Sequence, residues 1–158
     1  MTAATTLPND PLPRSTDAAR RVAGMPDDEL HDFFLECRRR ERAAAAEAAA
    51  ALAEIDRRRS FMRERFLSAS SFVAWRAGDS HRAAAGLGRT ARALQQMPQT
   101  AAAFERGEID SVRVRRLVDA RVAAPDAFTA DEDVLVERAR EQDAATFVRT
   151  VELWQQNQ

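Results

Sequence analysis

The side chains in this sequence best suited to chemistry are arginines. The 24 basic residues include no lysine. A guanidinium presents a flat fork of donors that grips phosphate or carboxylate through parallel hydrogen bonds, which the point charge of lysine does not offer. One set is spaced to act together: Arg82, Arg89 and Arg92, with His81 at the edge of the set and Arg76 just upstream. Wound as an α-helix, these three share a side with Ala85 and Gln96, while Ala83, Leu87, Ala91 and Leu94 share the opposite one. A recognition helix needs that division, an apolar side that anchors and a polar side that offers donors. Its first residues, Ser80-His81-Arg82, also carry free backbone N–H groups suited to a phosphate. The same division describes a surface helix whose arginines simply face solvent. A second set, Arg113, Arg115, Arg116 and Arg121, lies on a segment whose buried side reads Val114, Leu117, Val118 and Val122. There Arg113 and Arg116 are expected to point outward, toward phosphate or toward nearby acids. A GC-rich coding sequence would produce the same abundance of arginine and alanine.

Other chemistry is missing from the pattern. His31 and His81 are the only histidines and Cys37 is the only cysteine. They form no metal-ligand spacing, no disulfide and no nucleophilic triad. His31 reads as a surface helix residue, and Cys37, near Phe33, Phe34 and alanines, as a small buried side chain. The acids lie at helix starts or in charge pairs, where the helix dipole accounts for them. Gly86-Leu87-Gly88 follows no strand, so it is not a dinucleotide loop. No catalytic residue, metal or cofactor is expected.

The elements that must position the arginines are helical throughout. Alanine is abundant, glycine (5) and proline (6) are scarce, and tyrosine is absent, a composition that favours helix. Residues 1–15 mix Thr, Ala and Pro without period and read as a disordered leader; a short helix follows from Asp17 to Ala23, and Gly24 ends it. Pro26 and the acids after it start a long amphipathic helix. Its stripe is Leu30, Phe33, Phe34, Cys37, Ala44, Ala48, Leu52, Ile55, Met62 and Phe66, interrupted at Arg57-Arg58-Arg59-Ser60. Ser68 caps a helix to Ala77, Gly78-Asp79 turns, and Ser80 caps a helix to Gln96. Pro98 opens a helix that Gly107 ends, and Asp110 caps another that Pro125 stops. A helix then runs from Thr129 or Asp131 to Gln142, and Asp143 caps the last, with Phe147, Val151 and Trp154 as its stripe. The fold class is all-α: a leader over 1–24 and a multi-helix domain over 25–158, with one long N-terminal amphipathic helix. Its centre, Ser68 to Val122, is helix-turn-helix-like.

Net charge is -1, with 45% hydrophobic and 31% charged residues. No global field draws the chain to a polyanion, but arginines outnumber acids from Glu36 to Arg121 and acids dominate from Asp126 to Glu152. A basic middle of this kind meets phosphate locally, and it is equally the pattern of solvated helix faces. No apolar run reaches membrane-spanning length and no signal peptide precedes the domain, so a cytoplasmic location and no membrane contact are expected.

The run LAEIDRRRSF, followed by the stretch from Ser68 to Ala120, resembles an actinobacterial family, the domain of unknown function 222, or 13E12 repeat. The likeness lies in Asp56-Arg57-Arg58, the helix from Ser71 to Trp75, the segment Met97 to Phe104, and the turn Gly107-Glu108-Ile109-Asp110 before an arginine-rich helix. It spans roughly Met25 to Trp154. The resemblance implies a helical domain that commonly precedes an HNH endonuclease module; these 158 residues contain no such module. Ser68 to Val122 is also similar to the helix-turn-helix region of ParB-type partition proteins.

Two functions are therefore expected in competition. One is a non-catalytic domain binding double-stranded DNA through Arg76, His81, Arg82, Arg89, Arg92, Arg113 and Arg116. The other is an interaction module that forms a homo-oligomer through the long alanine-rich helix.

Overall fold

The computed structural model describes residues 16–158, so the expectation for the leader over 1–15 lies outside the described residues. Among the described residues there are eight α-helices and a 3-10 turn, and no strand. The fold is all-α. The chain forms two compact units, divided between Glu36 and Cys37.

In the first unit, α1 (Asp17–Val22) is capped by the Thr16 hydroxyl, which accepts from the Ala19 amide at 3.2 Å. The second helix, α2 (Asp27–Arg58), starts here with Asp27, Asp28 and Glu29 at its positive end, as the helix dipole favours. Phe34 and Leu35 are exposed, at 61% and 63%.

The second unit holds the apolar core. From α2 it takes Ala46, Ala49 and Leu52. This corrects the expected stripe, because Ala44 and Ala48 are exposed. Cys37 is half-buried rather than enclosed, and Arg40 donates to its sulfur at 3.4 Å. The helix ends where expected, with Arg59 in the left-handed region (φ 52). Phe61 of the 3-10 turn Ser60–Glu64 is buried, while Met62 is 59% exposed.

Five of the six remaining helices start where the sequence predicts, four at side-chain caps and one at its first-turn proline. The Ser68 hydroxyl accepts from the Ser71 amide at the start of α3 (Ala69–Arg76), and the Ser80 hydroxyl from the Ala83 amide at the start of α4 (His81–Leu94). Between them Gly78 turns the chain at φ +74, a conformation other residues resist. Pro98 opens α5 (Pro98–Glu105). Asp110 caps α6 (Ser111–Ala123), and Asp143 caps α8 (Ala144–Gln156). The exception is α7 (Pro125–Glu141). Pro125 does not merely stop α6; it is the first residue of α7, which begins before Thr129 and carries Phe128 into the core at 1% exposure. Proline suits that position because the first-turn N–H has no partner in any case.

The core centres on Val114, Leu117, Phe128, Val136 and Phe147 of α6, α7 and α8. Val122, expected on the buried side of α6, is 75% exposed; Ala120 is buried in its place. One buried acid has a structural task. Glu132 of α7 accepts from the amide and the hydroxyl of Thr100, both at 2.8 Å. Met97 gives α5 no side-chain cap, so a carboxylate from another helix satisfies a first-turn donor there. Gly107, at φ +69, ends the turn after α5; a Cβ there would lie 2.4 Å from the Arg39 carbonyl oxygen.

Candidate functional site

The site is built around α4, so the seating of that helix comes first. Its buried residues are Ala84, Gly88, Thr90 and Ala91, with Leu87 and Leu94 partly covered. The anchoring stripe is thus rotated from the expected one. Ala83 is exposed, and Ala84 takes its place in the core at 0% exposure. Gly88 belongs to that buried stripe. A Cβ there would lie 3.3 Å from the Ser70 hydroxyl oxygen, so glycine at this point lets α3 and α4 approach closely.

The structure sorts the arginines by what faces them. Arg92 pairs with Asp56 of α2 at 3.1 Å, and Arg76 pairs with Glu64 at 3.2 Å. Arg113 does not point outward. Its side chain is 16% exposed, bonded to Asp110 at 2.6 Å and to the carbonyl oxygen of Gln142 at 2.8 Å, so it ties the start of α6 to the end of α7. Arg121 donates to the side chain of Gln96. By contrast, Arg82, Arg89, Arg115, Arg116 and His81 are exposed, with no hydrogen bond or ion pair to any described residue.

Three of those free guanidiniums come together. A groove of 650 Å³ runs between α2, α4 and α6, lined by Arg82 and Arg89 from α4 and Arg115 from α6. Ala45 and Ala48 of α2 form one wall, and Gly86 and Leu87 lie between the α4 arginines. Among the described residues that line it, none is acidic and none belongs to α7 or α8. Arg116 and His81 are exposed but do not line it; His81 instead borders a smaller depression beside Trp75. Trp75 is 78% exposed.

The other flank of α4 differs. A depression of 550 Å³ contains Arg57, Arg59 and Arg92, but also Glu54 and Asp56. Glu54 accepts from Arg57 at 2.7 Å and also from Arg58. The hydrogen bond from Arg57, then that from Arg58, holds its carboxyl at about 2 instead of 4.5. Its negative charge therefore persists across the ordinary pH range, and the guanidiniums of Arg57 and Arg58 are occupied by it.

Of the residues singled out from sequence, then, Arg82 and Arg89 reach the groove. Arg76, Arg92 and Arg113 are committed to protein partners, and Arg116 and His81 lie to the side. Arg115 belongs to the recognised second cluster, but a single-helix reading favours its neighbours. From the sequence, Gly86 stands out only within Gly86-Leu87-Gly88, which is not a dinucleotide loop. No group of three or more His, Cys, Asp and Glu side chains among the described residues could hold a metal ion. No helix among them is long and apolar enough to cross a membrane. With fold and groove described, comparison adds no further name: no family model, no curated protein and no solved structure matches the chain.

Proposed function

We propose that this chain is a non-catalytic DNA-binding helical domain that contacts the phosphates of duplex DNA through Arg82 and Arg89. The observation that carries the reading is their freedom. Both leave the same side of α4, exposed and without a carboxylate partner among the described residues, whereas Arg76 and Arg92 nearby are paired. Unpaired guanidiniums give up no ion pair when they move onto a phosphate, and each contact releases condensed counterions. The succession α3, glycine turn, α4 is read here as a helix-turn-helix, with α4 as the helix presented to DNA. The resemblance of Asp56-Arg57-Arg58 and of Ser68 to Ala120 to the 13E12 repeat gives the domain its context. It would hold DNA for an HNH endonuclease module.

Titration of the whole chain into labelled duplex should show binding at low salt that weakens steeply as salt rises. Replacing both Arg82 and Arg89 with alanine should weaken it on the order of tenfold or more, through loss of two charge-assisted contacts. Absence of binding at low salt, or indifference to the double substitution, overturns the reading.

A second reading is self-association through α2. Phe34 and Leu35 support it, because they expose large apolar side chains on that helix at 61% and 63%, and the alanines that begin at Ala43 permit close helix approach. Light scattering should then show a mass that rises with concentration; a constant monomer mass removes it.

A further inference from the structure

We propose that the groove between α2, α4 and α6 seats one strand of phosphodiester backbone directly on Gly86, gripped by Arg82 and Arg89 from one side and by Arg115 from the other. This rests on the DNA-binding reading and specifies which part of the nucleic acid is held. One glycine of α4, Gly86, has no internal packing role. Glycine inside a helix is less favourable than alanine, so an internal reason is expected. Gly88 has one, the close approach of Ser70. Gly86 has none: it sits mid-helix, and a Cβ there would meet nothing within 4 Å. The missing side chain leaves a bare stretch of helix open to the groove, which serves a backbone approaching from outside.

Spacing agrees with that occupant. Gly86 follows Arg82 by four residues and precedes Arg89 by three, so all three lie on one face. The two arginines are about 10 Å apart along the helix axis, far enough to meet separate phosphates of one strand. Arg115 supplies a third cation from a different helix, and no carboxylate lines the groove among the described residues. Ala45 and Ala48 keep the opposite wall low. Contacts of this kind read no base edge, so the grip is independent of sequence.

The test uses the full chain with two labelled duplexes of unrelated sequence. The proposal expects similar affinities for both. Gly86→Leu, whose Cβ would meet nothing within 4 Å, should occupy the groove and weaken binding on the order of tenfold while Tm rises with the better helix former. Arg115→Ala should weaken both duplexes equally and lower the salt slope by about 1. Arg149→Ala removes the same charge from an exposed site on α8 and should leave binding unchanged. Wild-type failure to bind either duplex removes the DNA-binding reading and this inference together. If the wild type binds while Gly86→Leu and Arg115→Ala match it, or if one sequence is strongly preferred, only the inference falls.

Discussion

The two flanks of α4 carry the same cations and differ in their anions. One presents Arg82 and Arg89 with Arg115 across a groove of 650 Å³; the other presents Arg92 with Arg57 and Arg59 around a depression of 550 Å³. The second also contains Glu54 and Asp56, so two of its three arginines, Arg57 and Arg92, are already paired within the protein. Arginine density along the chain therefore says little about where a polyanion can land. What decides is which helix packs alongside. The end of α2 brings acids to one flank, while its alanines and α6 bring none to the other.

The sharpest way to break that comparison is charge reversal. Arg89→Glu should cost DNA binding on the order of a hundredfold, because it replaces an attraction with a repulsion at the phosphate. Arg92→Glu should change binding by no more than a few fold, and should instead lose its pair with Asp56. If the two reversals have equal effects, the flanks are not distinct. In the same titration, Asp56→Asn should free Arg92 and strengthen binding a few fold. The accompanying stability change should stay within about 1 kcal/mol, as is usual for a half-exposed pair.

A smaller effect should appear with pH. The carboxyl of Glu54 is held at about 2 in the fold, first by Arg57 and then by Arg58, against 4.5 ordinarily. A folded value below the unfolded one means that stability is contributed in full above 4.5 and is lost as pH falls from 4.5 toward 2. Glu54→Gln should therefore narrow the gap in Tm to wild type across that window. Because the pair is exposed, added salt should shrink the difference further. A gap that widens on acidification would contradict the assignment. Mild acid should not open the closed flank at Glu54, since that carboxylate stays ionised until well below its usual range.

Much of the architecture was legible from local rules. Ser68, Ser80, Asp110 and Asp143 each cap the helix that their residue type and position announce, because a side-chain oxygen one residue before a helix satisfies a free N–H without help from the rest of the fold. The period of Phe147, Val151 and Trp154 likewise placed α8. Single-helix reasoning failed where two helices compete for a residue. Ala83 and Ala84 are chemically identical, and only the packing of the neighbouring helices onto α4 decides which one is buried. Val122 and Ala120 exchange places for a related reason, since the packing of α6 against its neighbours selects the stripe rather than residue size.

By itself, then, the sequence determined helix content, the side-chain caps and most boundaries, the start of α7 excepted, and the preference for guanidinium over ammonium. These depend on interactions within a few residues. The fate of each guanidinium was decided only in three dimensions. Arg92 found Asp56 from 36 residues away, Arg113 found the end of α7, and Arg82 and Arg89 found Arg115 but no acid. Charge–charge interaction falls with distance through space, not along the chain, so which arginines remain available to a phosphate is a property of the packed helices.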